Sequence, residues 1–268
     1  MSRTLLRWIG GKQNLVKELL GHVPSNIFSM KYVEPFLGGG SLFFSVLPRI
    51  AFLSDINSKL INCYLQIKEH PNEVALELTK ILGNHSKENY YKVRSEFNNG
   101  TSNIEHAAQL IYLNKTSFNG IYRVNQNGDY NVPYGFIEKP SIVNQEEINK
   151  ISKAFISAEI EVLPFESSIK HASDNTFYYL DPPYPPLNET SFFTHYTVEK
   201  FNYTDHERVH DFARKLSEQN AKVLISNADV NFIHELYHDW NIIRTSTVRW
   251  VSCKKKKYKV NELIIKNY

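Results

Sequence analysis

Four consecutive residues, Asp181, Pro182, Pro183 and Tyr184, combine groups that can hold and activate a planar amino compound. They follow an apolar segment at 176–180 (TFYYL) that is predicted to be a strand. A proline has no N–H donor, so the backbone carbonyls here remain available as acceptors beside the Asp181 carboxylate. An amino group that donates two hydrogens fits these acceptors, and the Tyr184 ring offers a face for stacking. The alternative interpretation is a rigid surface turn that Asp181 merely caps.

A glycine-rich turn at 33–41 (VEPFLGGGS) is the second candidate site. A predicted strand at 31–34 runs into three glycines, and a predicted helix follows. Glycines let the backbone approach a ligand, and a helix N-terminus favours a carboxylate or phosphate. A tight turn without a ligand is the alternative. The dinucleotide-binding pattern GxGxxG is not met, because Phe43 stands at its last glycine position. Asp55 ends the next predicted strand, where a carboxylate can accept hydrogen bonds from ribose hydroxyls.

Predicted strands lie on both sides of a long helical stretch. The strands are predicted at 31–34, 51–54, 158–163, 176–180, 222–226, 241–251 and 259–266. Helices are predicted at 41–47, 58–68, 72–82, 87–97, 104–114 and 204–220, the last beginning with a capping box of Thr204 and Glu207. Asn-Gly pairs at 119–120 and 127–128 predict a hairpin or compact loop. This order indicates a mostly parallel α/β sheet with a helical insertion.

Composition excludes several classes of protein. With 268 residues, 42% of them hydrophobic, the chain can form a sizeable core and is not a disulfide-rich miniprotein. It has no apolar run of about 18 residues, so no membrane-spanning helix is predicted. The first residues lack the apolar core of a signal peptide, so we expect a cytoplasmic protein with its two cysteines reduced. A net charge of +3 permits nucleic-acid binding without indicating it.

In combination, the glycine turn and the Asp-Pro-Pro-Tyr motif resemble amino-methyltransferases that use S-adenosylmethionine. The chain is similar to the DNA adenine methyltransferase (Dam) family in particular. Residues 7–12 (RWIGGK) and 55–57 (DIN) resemble two of that family's motifs. The segments 113–125 (LNKTSFNGIYRVN) and 131–135 (NVPYG) resemble its DNA-reading segment, and later elements match at 225–227 (ISN) and 259–263 (KVNEL). The motif order, with the DNA-reading insertion before Asp-Pro-Pro-Tyr, is typical of the family's alpha group.

The resemblance implies a fold and a reaction. The fold is a doubly wound, mostly parallel, Rossmann-like α/β sheet of seven strands. Residues 1–56 and 159–268 would form the catalytic domain, and 57–158 a helical target-recognition domain with a hairpin loop. The reaction is transfer of a methyl group from S-adenosylmethionine to the N6 amino group of an adenine flipped out of double-stranded DNA. No metal is implied. We expect a monomer in solution, whereas dimerisation on DNA and a cognate restriction endonuclease stay open.

The resemblance also assigns roles to individual residues. The residues assigned to the target base are Asp181, Pro182 and Tyr184. Those assigned to the cofactor are Trp8, Ile9, Gly10, Lys12, Glu34, Phe36, Gly38, Gly39, Gly40, Ser41, Asp55, Ile56, Phe165 and Asp181. Those assigned to DNA are Arg7, Phe118, Asn119, Ile121, Arg123, Asn125 and Pro133.

The chain departs from the family after Gly135. The family usually has Arg-Tyr-Lys there, at positions that touch DNA in relatives that methylate GATC, whereas this chain has Phe136, Ile137 and Glu138. The expected recognition site is therefore GATC or a related sequence. The lysine run at 254–257 is interpreted either as a solvated hairpin tip or as a phosphate contact.

Three alternative functions stay open on the sequence alone. They are the same chemistry on cytosine or RNA, a catalytically silent DNA-binding relative, and a nicotinamide-dependent oxidoreductase. An oxidoreductase would need the third glycine of the GxGxxG pattern, which this chain lacks, and it would leave Asp-Pro-Pro-Tyr unexplained. The presence of every motif residue argues against a silent relative. Cytosine enzymes more often carry Ser than Asp in the fourth motif.

Overall fold

A seven-stranded sheet organises the computed structural model, which describes residues 5–101, 103–185, 201–251 and 256–268. The strands are β1 (Lys31–Glu34), β2 (Ile50–Asp55), β3 (Ala158–Val162), β4 (Thr176–Leu180), β5 (Lys222–Ala228), β6 (Asn241–Val251) and β7 (Lys256–Lys266). Their order is β3-β2-β1-β4-β5-β7-β6. Strand β7 runs antiparallel to both β5 and β6, and the other neighbouring pairs are parallel. The expected doubly wound, mostly parallel sheet of seven strands is confirmed.

The strand order places a topological switch between β1 and β4. From β1 the chain moves outward to β2 and β3, and it then returns to β4 and moves outward in the other direction. Open α/β sheets bind ligands at the carboxyl ends of the strands beside such a switch. The carboxyl ends of β1, β2, β4 and β5 share this edge, because these strands are parallel.

Nine helices are found in the described part of the chain. They are α1 (Val16–Leu20), α2 (Phe43–Val46), α3 (Ser58–Glu69), α4 (Pro71–Gly83), α5 (Lys87–Asn99), α6 (Ile104–Thr116), α7 (Gln145–Ala154), α8 (Tyr203–Glu218) and α9 (Asn231–Leu236). The predicted helices of the insertion are confirmed within a few residues. Helix α2 begins two residues later and ends one residue earlier than predicted. It ends where Leu47 takes a left-handed φ of 50° directly before Pro48, because a proline disfavours the helical region for the residue that precedes it.

The predicted capping box of α8 is wrong in its residues. Asn202 has an extended backbone, and its side-chain oxygen accepts a hydrogen bond from the backbone N–H of Asp205. The Asp205 carboxylate accepts in return from the Asn202 N–H at 2.8 Å. Thr204 therefore lies inside the first turn, and the reciprocal cap begins two residues earlier than predicted.

The two faces of the sheet pack against different helices. Successive side chains of β1 point to opposite faces of the sheet. Tyr32 belongs to a core formed with α3 to α7, and Val33 belongs to a core formed with α8. The core of the helical insertion is thus continuous with one face of the sheet. Between α6 and α7 the insertion forms a compact loop, in which Ser117 bridges to Tyr134 and Val124 to Tyr130.

The sequence predicts no membrane-spanning helix and two reduced cysteines. Among the helices that the structure describes, none has the length and hydrophobicity of a membrane-spanning segment. Cys63 is a buried free thiol, and Cys253 lies outside the described residues.

Candidate active site

A cavity of about 690 Å³ opens at the shared strand edge. Three acidic side chains reach it from strand ends: Glu34 from β1, Asp55 from β2 and Asp181 directly after β4. The volume lies within the usual range of small-molecule sites, about 300–1,000 Å³. Its walls bring together residues that are far apart in the chain. Every residue assigned to the cofactor lines it, and so do Pro182 and Tyr184.

The Asp181 side chain is 18% exposed and pairs with a buried lysine. Lys12 Nζ lies 2.7 Å from Asp181 Oδ1 and donates to the backbone oxygen of Gly10 at 2.6 Å. Ser226 Oγ donates to the same Asp181 oxygen at 2.7 Å. Burial raises the pKa of Asp181, while Lys12 and Ser226 oppose this shift by stabilising the charged form. The arrangement presents an oriented carboxylate to the cavity.

Tyr184 is fixed at both its ring and its hydroxyl group. Lys12 Nζ lies 4.3 Å from the ring centroid, within the range of a cation–π contact. The hydroxyl donates to Glu262 Oε2 at 2.8 Å, and Glu262 Oε1 accepts from Thr247 Oγ1 at 2.8 Å. Glu262 is almost completely buried. The Tyr184 ring is therefore held in one orientation as a wall of the cavity.

The Trp8 side chain packs against the glycine turn. Gly38 and Gly40 have positive φ values of 46° and 64°. A Cβ on Gly38 would stand 2.8 Å from Trp8 Cδ1, and one on Gly39 would stand 3.2 Å from Trp8 Cβ. Trp8 also stacks on Tyr122, with ring centroids 5.0 Å apart. The close approach that Gly38 and Gly39 permit is thus made by Trp8, which itself lines the cavity.

Asp55 is held by backbone donors at the end of β2. Its Oδ2 accepts from the Gly38 N–H and its Oδ1 from the Asn57 N–H, both at 2.9 Å. Burial raises the pKa of Asp55, and these backbone hydrogen bonds oppose the shift. The neighbouring Ile56 is 64% exposed. It offers an apolar face to a ligand in the cavity.

Two further features complete the cavity wall. Phe165 stacks on Phe36 with centroids 5.1 Å apart, which gives an aromatic surface. Glu34 is buried and accepts a hydrogen bond from the Tyr32 hydroxyl at 2.7 Å. Burial raises the pKa of Glu34 well above its usual range. Ser41 is also buried, at the end of the glycine turn.

A second surface joins the start of the chain to the loop after α6. Asn114 is buried; its Oδ1 accepts from the Arg7 N–H, and its Nδ2 donates to the backbone oxygens of Arg7 and Gly120. A Cβ on Gly120 would stand 2.5 Å from Arg7 Cδ, so the Arg7 side chain lies against this turn. Phe118 is 48% exposed, and Asn119 is exposed with a left-handed φ of 58°. The structure thus brings Arg7, Phe118 and Asn119 together.

The remaining residues assigned to DNA lie in the same loop. Arg123 Nε donates to Asn131 Oδ1 at 2.8 Å, which orients the guanidinium group. Asn125 uses its side-chain oxygen to accept from two backbone N–H groups of the following turn, so it shapes that turn. Ile121 is half-buried, and Pro133 is exposed, with its backbone oxygen accepting from the Phe118 N–H at 2.9 Å.

Phe136, the first of the three residues at which this chain departs from the family's Arg-Tyr-Lys, lies just beyond this loop. It is 75% exposed and has a left-handed φ of 54°. This combination is uncommon for a bulky residue. Lys254 and Lys255 of the lysine run lie outside the described residues.

Sequence reasoning missed three buried residues of these sites, Asn114, Ser226 and Glu262. Each stands inside a segment that resembles a family motif, so a signal was present. Their contacts with Arg7, Asp181 and Tyr184, however, span 107, 45 and 78 positions of the chain. Local patterns do not indicate such contacts.

Comparison with known proteins identifies the class. Residues 8–251 match the family model of D12 class N6 adenine-specific DNA methyltransferases, and the chain belongs to this enzyme family. Membership implies DNA as the substrate and S-adenosylmethionine as the methyl donor.

Individual relatives cover nearly the whole chain. It is 39% identical to the type II methyltransferase M1.LlaDCHI of Lactococcus lactis subsp. cremoris, over 99% of this chain and 95% of the relative. It is 37% identical to the type II methyltransferase M.MjaIII of Methanocaldococcus jannaschii, over 99% of both chains. The DNA adenine methylase of Escherichia coli K12 is 33% identical, over 88% of this chain and 84% of the relative.

Proposed function

We propose that the enzyme transfers a methyl group from S-adenosylmethionine to the N6 amino group of a flipped adenine in a short site of double-stranded DNA, GATC or a related sequence. The observation that carries this proposal is the Asp181 carboxylate at the end of β4, with Pro182 and the fixed Tyr184 ring in the same cavity. This set offers two acceptors and one stacking face, which matches an adenine edge and ring.

The cavity fits the proposed cofactor in its chemistry. Asp55 lies where it would accept from ribose hydroxyls, and Ile56 and the Phe36–Phe165 pair provide apolar faces for an adenine ring. Glu34 and the glycine turn would border the amino-acid end. The Asp181 carboxylate suits a cationic sulfonium, and the same cation would favour the ionised form of Glu34, because a nearby cation offsets the cost of shielding a carboxylate from water. When bound, the cofactor supplies an electrophilic methyl group.

The protein's own residues would prepare the amino group as an acceptor of that methyl. The lone pair of the adenine amino nitrogen is delocalised into the ring, so the nitrogen is a poor nucleophile. Hydrogen bonds to the Asp181 carboxylate and the Pro182 carbonyl favour a more tetrahedral nitrogen and return electron density to it. Because Lys12 and Ser226 hold the Asp181 carboxylate before binding, this acceptor needs little reorganisation. No covalent bond to the protein is required.

Tyr184 would offset part of the cost of base flipping. Removing a base from the duplex costs a few kcal/mol, and stacking on an aromatic ring returns about 1–3 kcal/mol. The hydrogen bond from Tyr184 to Glu262 keeps the ring in place before the base arrives. The stacking face is therefore prepared in advance.

The DNA sequence would be recognised by the surface that includes Arg7, Phe118, Asn119, Ile121 and Arg123. The Arg123 guanidinium group, oriented by Asn131, has the geometry to donate to the major-groove edge of a guanine. Asn119 and Ile121 would fill the space that the flipped base leaves. Two relatives are named type II methyltransferases, which supports a companion restriction endonuclease for this chain too.

The proposal is tested by methyl transfer in vitro. The purified protein is incubated with isotopically labelled S-adenosylmethionine and duplexes that carry GATC or its single-base variants. The DNA is then digested to nucleosides and analysed by mass spectrometry. We expect labelled N6-methyladenine from the duplex that carries the recognition site. The proposal would be refuted by labelled methylcytosine, or by the absence of any labelled nucleoside although the protein binds the cofactor.

A further inference from the structure

Two buried hydroxyl groups form a chain behind the Asp181 carboxylate. Ser226 Oγ donates to Asp181 Oδ1 at 2.7 Å, and the Tyr179 hydroxyl lies 2.9 Å from Ser226 Oγ. Tyr179 precedes Asp181 by two residues, so both side chains point to the same face of the sheet. Ser226 reaches this face from the neighbouring strand β5. Both hydroxyl-bearing residues are shielded from solvent.

The hydrogen bonds of these three side chains can run in only one direction. An ionised carboxylate can only accept hydrogen bonds, so the Ser226 proton points to Asp181. The Ser226 oxygen is then the acceptor, and the Tyr179 hydroxyl is the donor. Burial raises the pKa of Tyr179 well above its usual range, so this donor keeps its proton. The donor order is therefore Tyr179 to Ser226 to Asp181.

These contacts occupy one of the two Asp181 oxygens. Ser226 Oγ and Lys12 Nζ both lie 2.7 Å from Oδ1. A carboxylate held by two donors on one oxygen cannot rotate without breaking both contacts. The second oxygen, Oδ2, is thereby fixed relative to the cavity.

We propose that Ser226, held by Tyr179, is a positioning residue that sets the rotation of the Asp181 carboxylate so that Oδ2 accepts from the target amino group. This inference rests on the proposed methyl transfer. Ser226 also stabilises the ionised form of Asp181 against the effect of burial, so it would help to keep the acceptor charged. A serine that only satisfied a buried hydrogen bond would have neither effect on the reaction.

The first test measures single-turnover methylation of the preferred duplex at saturating S-adenosylmethionine and across a pH series. Ser226→Ala is expected to lower the rate about tenfold or more, as for a lost hydrogen bond to a charged group. The acid limb of its pH profile moves to higher pH, because the pKa of Asp181 rises when a donor to the carboxylate is lost. Tyr179→Phe shifts both quantities in the same direction by a smaller amount.

The second test asks whether the two hydroxyls act as one chain. If they do, Tyr179→Phe costs nothing further once Ser226→Ala is present, whereas independent sites would give additive losses. Tyr178→Phe is the matched control. The Tyr178 hydroxyl donates to the backbone oxygen of Ser168 on the other face of the sheet, so its removal leaves the rate and pH profile unchanged.

The outcomes separate this inference from the proposed function. A Ser226→Ala variant with the wild-type rate and pH profile, or additive losses in the double variant, would overturn the positioning role. Should Ser226→Ala fail to fold, Tyr179→Phe decides the matter alone, since an unshifted acid limb overturns the inference. A wild-type enzyme that methylates no adenine would instead overturn the proposed function.

Discussion

Replacing Asp181 by asparagine removes the proposed negative acceptor while preserving its shape. In the structure, Ser226 and Lys12 both donate to Asp181 Oδ1. The amide oxygen that Asp181→Asn introduces is a neutral acceptor, and it is expected to stay with these two donors. The amide NH₂ then takes the place of Oδ2 and faces the target amino group, so that a donor meets a donor.

The expected loss in rate is large. Removing one oriented, preorganised group that stabilises developing charge costs about 10²–10³-fold, or about 2.7–4 kcal/mol. Asp181→Asn also replaces attraction by repulsion at the same position, so we expect a loss at or above the upper end of this range. With Asp181→Ala, which removes the acceptor without adding a donor, the rate should fall by about 10²-fold or more.

The assay is single-turnover methyl transfer at saturating DNA and cofactor, with folding checked by circular dichroism and thermal unfolding. Asp174→Asn is the matched control, because Asp174 is exposed and precedes β4 at the opposite end of the strand. It should retain the wild-type rate. A folded Asp181→Asn or Asp181→Ala variant that retains more than about 10% of the wild-type rate would contradict the role of Asp181 as the acceptor, because the expected loss is about 10²-fold at least.

Three further predictions concern the surrounding residues. Lys12→Met removes the cation that lowers the pKa of Asp181, so that pKa rises and the acid limb of the pH–rate profile moves to higher pH; an unmoved limb would contradict the pairing. Tyr184→Ala weakens capture of the flipped base by about 1–3 kcal/mol and cofactor binding by less. A base-analogue fluorescence signal that is unchanged in this variant would contradict it. Arg123→Ala relaxes recognition at one base pair by about 1–3 kcal/mol, measured as methylation rates on single-base variants of the site. A uniform drop on all variants would indicate a phosphate contact instead.

Much of the site was predictable because its acidic residues lie at the ends of predicted strands. Asp55 and Asp181 each stand at the end of a short apolar segment, and parallel strands bring their carboxyl ends to one edge. The α/β sheet and the insertion helices followed from the periodicity of apolar residues. The resemblance to a known family then supplied an expected role for each residue, which periodicity alone does not give.

The errors arose where two local patterns compete or where a partner is distant. Thr204–Glu207 and Asn202–Asp205 both have capping-box spacing, and only the backbone conformation of Asn202 decides between them. The glycine turn predicted a close approach, but the sequence does not say that Trp8 makes it. The contact of Ser226 with Asp181 depends on the pairing of β4 with β5, which no local pattern indicates.

Adenine methylation by this enzyme can be tested in the cell by mapping modified bases in DNA from cells that lack adenine methylation and express this chain. We expect N6-methyladenine at one adenine of a single short sequence, GATC or a related site. Cells that express the Asp181→Asn variant at the same level should show none. Modified cytosine in place of adenine, adenine methylation without a sequence context, or equal methylation by the variant would contradict site-specific adenine methylation that depends on Asp181.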